Sequence, residues 1–260
     1  MKENTHNASG VRNNEKLHLV IYGYAKHDVS KLMQHFQTFL PPEIKLSFTS
    51  ANLISHITLA GNGGQIELQR FTMNRYHRTL VEMFSEELVT TENKTISQIL
   101  GQSLTEKELT IATAESCTGG NIAHKIVQEP GSSAYFLGSV VSYSNEVKAN
   151  VLGVSRTNLD RFGAVSKDVV EEMVSGVCSL MRSECGIATS GIAGPDGGSR
   201  FKPVGTVWVA VKYRDQIISE CVRFNGSRNE VIESATNHGM FMLLNLLRDS
   251  YIMQEDFNDE

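Results

Sequence analysis

Apolar positions along the chain change period several times, and each change marks an element. LHLVIYGY (17–24) is a short apolar run that reads as a strand. In HDVSKLMQHFQTFL (27–40), Val29, Leu32, Met33, Phe36 and Leu40 recur at helical spacing, and Pro41-Pro42 stops the helix. IKLSFTS (44–50) and HITLAG (56–61) alternate as half-buried strands do. Gly61-Asn62-Gly63-Gly64 reads as a turn, QIELQRF (65–71) as a return strand, and TMNRYHRTLVEMFSEELV (72–89) as a longer amphipathic helix. These elements predict a small α+β unit.

From about residue 105 the texture changes to strands alternating with helices. TIATAE (110–115) is a short buried strand that runs into a glycine-rich turn and a helix. FLGSVVSYS (136–144) is a second strand, followed by the short helix NEVKANVLG. Ser166 is a candidate N-cap for DVVEEMVSGVCSLMRSE, with Asp168, Glu171 and Glu172 near the positive end of that helix. CGIATSGIAGPDGG is a strand followed by a glycine loop. VGTVWVAVKY and IISECVRFNG form a hairpin through Arg214-Asp215, and NEVIESATNHGMFMLLNLLRD closes as a helix. The alternation predicts an α/β fold, a three-layer α/β/α sandwich with a mixed sheet, preceded by the small α+β domain.

Composition narrows the setting. The chain has 260 residues, with 24 Lys+Arg against 29 Asp+Glu, a formal charge of −5 and a hydrophobic share of 40%. Mild acidity argues against a broad electrostatic footprint for nucleic acid. No window reaches the roughly 18 consecutive apolar residues of a membrane helix. The polar start (1–16) lacks the apolar core of a secretory signal and reads as a disordered tail, as does the acidic end (251–260). Cys117, Cys178, Cys185 and Cys221 form no CxxC pair, so the expectation is reduced thiols in a cytoplasmic protein, with no metal and no cofactor. The G-x-x-G at 61–64 has the spacing of an RNA clamp. A clamp should follow a helix beside Lys or Arg, however, and this one joins two predicted strands.

Four glycine-rich or small-polar segments lie at predicted strand ends, where open α/β sheets place ligands. Thr113–Gly120 exposes Ser116 beside a helix N-terminus, whose free N–H groups attract a phosphate or a developing oxyanion. Simple capping by Ser116 or Thr118 is the alternative, and Cys117 is a rival nucleophile. In Ser142–Lys148, Tyr143 ends a strand and Lys148 lies in the next helix's first turn, five residues on. A lysine serves as a base only if its pKa is lowered. Ser190–Gly198 lacks the P-loop ending and the full G-x-G-x-x-G, leaving a backbone nest for an anion or carboxamide. Arg228 stands at a helix start, suited to clamp phosphate.

TAESCTGGNIAHKI, EPGSSAYFLGSVVSYSNEVKANVLGV, FGAVSKDVVEEM and SGIAGPDGGSRFKPVGTVWVAV, in order over about 108–247, resemble the C-terminal domain of the CinA family. That domain is a dimer-forming α/β/α sandwich. The family includes nicotinamide mononucleotide deamidases (PncC-type), which hydrolyse the carboxamide to nicotinate mononucleotide and ammonia without a metal. The resemblance implies residues 105–250 as the amidohydrolase domain, 91–104 as a linker or helix, and 17–90 as the KH-like domain found before it in CinA proteins. It does not extend to the family's molybdopterin-binding-like domain, so the ADP-ribose pyrophosphatase activity placed there is not carried over.

It further implies Ser116 as nucleophile, Lys148 and Tyr143 as proton shuttle, and Ser133 as part of the polar network. The turn through Thr118, Gly119 and Gly120 would supply oxyanion donors. Ser190 and Gly194 would line the site, and Arg228 would meet the phosphate. Two departures stand out: Ser227 where the family often has Asp, and the 199–203 stretch. The implied partners are the nucleotide and a second copy of the chain. The alternative is a non-catalytic, competence-related binding role.

Overall fold

A computed structural model describes residues 15–61 and 66–258. The chain divides between Asn93 and Lys94 into two compact units. The first contains β1 (Lys16–Tyr22), α1 (Lys26–Gln37), β2 (Ile44–Ala51), β3 (Ile54–Gly61), α2 (Ile66–Met83) and β4 (Leu88–Thr90). Its antiparallel sheet has the order β2-β3-β1-β4. Leu19, Ile21, Ile57 and Leu59 of the sheet pack with Val29, Met33 and Phe36 of α1 and with Met73 and Leu80 of α2.

Two expectations fail in this unit. Residues 66–71 open α2 instead of forming a return strand, and Leu88–Thr90 leave that helix to pair with β1. The short alternation in 65–71 misled because Leu68 and Phe71 lie on the helix's outer side, 64% and 72% exposed. The inward stripe is Met73, Leu80 and Phe84, at helical spacing. The G-x-x-G at 61–64 therefore falls between a strand that ends at Gly61 and a helix that starts at Ile66, and the turn expected there lies, at residues 62–64, outside the described residues.

The second unit opens with α3 (Ile96–Glu106), started by a Thr95–Gln98 capping box. There follow β5 (Ile111–Glu115), α4 (Asn121–Val127), a 3-10 turn (Ser132–Ala134), β6 (Phe136–Val141), α5 (Asn145–Leu152), α6 (Arg156–Phe162), α7 (Lys167–Met181), β7 (Cys185–Gly191), β8 (Thr206–Tyr213), β9 (Gln216–Arg223) and α8 (Arg228–Asn258). The hairpin turns at Arg214-Asp215, as the pattern predicts. Helix α8 runs on through the stretch expected to be a disordered acidic tail, while the expected tail 1–16 lies outside the described residues except at its end. Ser166 stands at the N-cap of α7 without capping it; its hydroxyl donates to Gly163 O instead.

The sheet order is β6-β5-β7-β8-β9, with β5 parallel to both β6 and β7 and the last two strands antiparallel. Its two faces are covered by different helices. Ala112, Ala114, Ala188 and Ala210 pack with Val170, Met173 and Val174 of α7, against which α5 and α6 also pack. Ile187 and Val209, of opposite parity, meet Gly239 of α8, which packs with α3 and α4. The result is the three-layer α/β/α sandwich with a mixed sheet. The chain leaves β5 toward β6 on one side and returns to β7 on the other. That reversal opens a crevice at the carboxyl ends of the three parallel strands.

Candidate active site

Strand β5 ends between its two parallel neighbours. Ser116 N donates to Thr189 O at 3.0 Å and Ser142 N donates to Glu115 O at 2.8 Å, so positions 116, 142 and 190 stand level at the strand ends. Ser116 has the parity of Ala112 and Ala114, and its side chain faces the layer that contains α5. That helix starts at Ser144, whose hydroxyl accepts from Val147 N, and Lys148 falls in its first turn. Helical side chains lean toward the N-terminus, which brings the Lys148 amine back over the end of β6. Its Nζ lies 3.0 Å from Ser116 Oγ, 2.6 Å from Ser142 O and 3.5 Å from Tyr143 O.

Lys148 is 1% exposed, and no carboxylate pairs with it among the described residues. Burial lowers its pKa from the usual lysine value, with the nearby Cys117 opposing the shift. A neutral amine has two N–H bonds and one lone pair. In that neutral form the two carbonyls can take both N–H bonds and leave the lone pair for the Ser116 hydroxyl, whereas the ammonium form donates to Ser116 Oγ as well. Cys117 differs: burial pushes its thiol up to about 12, so it is no thiolate near neutrality.

A cavity of about 200 Å³ opens on this pair, lined by Ser116, Tyr143, Lys148, Ala164, Ser190 and Arg228 among others. Ser190 is buried and its hydroxyl donates to Ala164 O at 2.7 Å, tying the strand end to the opposite wall. Arg228 opens α8 and donates from Nη1 to Gly194 O at 2.7 Å, its other N–H groups being without a partner among the described residues. Gly194 adopts φ +84°, and a Cβ there would lie 2.5 Å from Val204 Cγ1. It therefore supports the pocket through its backbone while Ala193 lines it.

Other expected members are placed differently. The Tyr143 side chain is 66% exposed at the pocket's edge, and its hydroxyl bonds neither Ser116 nor Lys148; only its carbonyl approaches the amine. Ser133 sits exposed on the 3-10 turn, outside the cavity lining. The Thr118 hydroxyl is committed to Glu115 and Thr189. Gly119 N donates to Ser116 O and Gly120 N to Glu115, so neither amide is free for an oxyanion. No backbone carbonyl among the described residues accepts from the amides of Cys117 and Thr118, although the Cys117 amide also approaches its own thiol.

The sequence reading missed Glu115. It is fully buried, and its carboxylate accepts from Gly120 N (3.0 Å), Ile122 N (3.1 Å), Ala123 N (2.9 Å) and the Thr118 hydroxyl (2.7 Å). An acid closing TIATAE, a stretch that reads as a buried strand and has no other charged residue, was the signal available.

Fold and site together define an α/β/α domain with a buried serine–lysine pair at the ends of parallel strands. The chain belongs to the CinA family, whose C-terminal domain matches residues 93–247. It is 35% identical to a CinA-like protein of Flavobacterium psychrophilum over 234 residues, 90% of this chain and 56% of that one. It is 43% identical to a putative competence-damage inducible protein of Clostridium beijerinckii over 157 residues, 60% of this chain and 38% of the relative. The chain thus spans about half the length of the curated relatives it matches, or less. Among solved structures, a CinA superfamily protein from Klebsiella pneumoniae superimposes with a TM-score of 0.58 at 35% identity, covering 60% of this chain and 99% of the other. The competence/damage inducible protein CihA from Agrobacterium tumefaciens gives 0.57 at 36% identity, covering 58% and 93%.

Proposed function

We propose that this chain is a serine amidohydrolase acting on the carboxamide of nicotinamide mononucleotide, releasing nicotinate mononucleotide and ammonia. The observation that carries the reading is the buried, carboxylate-free Lys148 amine 3.0 Å from Ser116 Oγ. Neutral Lys148 takes the hydroxyl proton as Ser116 Oγ attacks the carboxamide carbon. The oxyanion that forms meets the amides of Cys117 and Thr118. Protonated Lys148 then returns its proton to the departing nitrogen, and ammonia leaves a Ser116 ester. Lys148 next takes a proton from water, whose oxygen attacks the ester carbon, and returns that proton to Ser116 Oγ as the C–Oγ bond breaks, so that the acid product leaves and the hydroxyl and neutral amine are restored. The cavity of about 200 Å³ suits the carboxamide-bearing ring, since whole drug-sized ligands occupy roughly 300–1,000 Å³. Ribose and phosphate extend outward past Tyr143, where the free N–H groups of Arg228 meet the phosphate.

Ammonia release from nicotinamide mononucleotide, with and without EDTA, tests the reading beside Ser116→Ala. The expected result is release that survives EDTA and falls at least about a thousandfold in the variant. A folded wild-type chain that releases no ammonia would overturn the proposal in favour of a non-catalytic binding role.

A further inference from the structure

We infer that Glu115 is the positioning residue of this site, acting through the Ser116 turn; the inference rests on the serine–lysine reading above. Residues 116–120 form an unusually tight connection: Gly119 and Gly120 both adopt positive φ (+63° and +99°), and α4 begins immediately afterwards. Left alone, such a turn has several conformations of similar energy. The Glu115 carboxylate removes that freedom. One oxygen gathers Thr118 Oγ1 and the amides of Gly120 and Ile122, while the other takes the Ala123 amide. Thr118 continues the network to the Thr189 hydroxyl at 2.7 Å on β7, the residue whose carbonyl already holds Ser116 N. Ser116 is therefore fastened to the sheet on one side and to the first turn of α4 on the other.

The same contacts have a second consequence. The amides opening α4 are filled by an internal carboxylate, so that helix end does not receive the substrate's phosphate. The anion is left to Arg228, and the turn's remaining amides are those beside the nucleophile. Glu115 itself touches no reacting atom. Its effect is to fix Ser116 Oγ relative to Lys148 Nζ and to the Cys117 and Thr118 amides.

Glu115→Gln keeps the side chain's shape and turns one acceptor into a donor facing the helix amides. The expected outcome is a fall in kcat of about tenfold to a hundredfold, with KM within about threefold, since displacing a reacting group by an ångström costs on this order. Labelling of Ser116 by a fluorophosphonate probe should slow by a similar factor, with no change in the pH midpoint set by Lys148. Glu172→Gln is the control. Glu172 ties Ser155 N and Asn158 Nδ2 at the start of α6, so that variant should lose stability with labelling unaffected. Slower labelling of Ser116 in folded Glu115→Gln supports the assignment even if nicotinamide mononucleotide proves not to be the substrate. Equal labelling rates, or no labelling of Ser116 in the wild-type chain, overturn it whatever the amidase assay gives.

Discussion

Burial gives Lys148 its chemistry. An ammonium with only a hydroxyl and two carbonyls around it loses much of its hydration, so the neutral form gains ground and can act as a base. Ammonia release should rise with pH through the native pKa of Lys148, reaching its plateau below the roughly 10.4 of a free lysine; a rate independent of pH from 6 to 10 would contradict this. The same shift bears on stability. Between the lowered native pKa and the ordinary unfolded one, the unfolded chain binds the extra proton, so the penalty is full below the native value and fades as pH rises. Lys148→Met should accordingly abolish ammonia release while raising stability at neutral pH by about 1 kcal/mol, measured by chemical denaturation. The thiols give a further test. Cys117, Cys178 and Cys185 are buried and Cys221 is exposed. Alkylation of the native chain near pH 8, mapped by mass spectrometry, should be confined to Cys221 and leave ammonia release intact.

At the scale of elements, the site depends on how closely α7 approaches the end of α5. A Cβ on Gly176 would lie 1.9 Å from Leu152 O, a backbone atom that cannot swing aside. Leu152 closes the helix that carries Lys148. Gly176→Ala should therefore cost about 3 kcal/mol in denaturant unfolding. It should also lower ammonia release in the fraction that remains folded, because α5 must shift to admit the methyl group. Element identity was readable from sequence wherever the period persisted: β5, β6, β7 and the β8–β9 hairpin follow from apolar runs and their turn residues. Residues 65–71 were misread because seven residues are too few to separate period 2 from period 3.6 when both put apolar groups at some of the same places. Glu115 was overlooked for a related reason. Nothing local says that a carboxylate at a strand end will turn forward over amides five to eight residues on.

For the whole molecule, the Klebsiella pneumoniae structure is covered over 99% of its length by 60% of this chain, so the matched region corresponds to a whole chain in that relative. The serine–lysine pair, Ser190 and Arg228 all lie between Lys94 and the end of the chain. Residues 94–260 alone should fold cooperatively and keep most of the ammonia release; loss of activity in a folded fragment would give the first unit a part in the reaction. An alignment of 234 residues with the Flavobacterium psychrophilum relative is longer than the second unit and so reaches into the first.

The sequence by itself determined the layered α/β/α class, the type of most elements and the segments where small polar residues collect at strand ends. These depend on hydrophobic period, turn residues and caps, which act over a few neighbouring positions. Only the tertiary structure decided which side chains of those segments meet. Lys148 reaches Ser116 across 32 residues because α5 lies against α7, and the Ser190 hydroxyl reaches Ala164 O across 26. Tyr143 and Ser133, equally prominent as letters, keep their side chains out of that contact. Strand register and helix packing set those distances, and both arise from long-range burial that no short stretch of sequence contains.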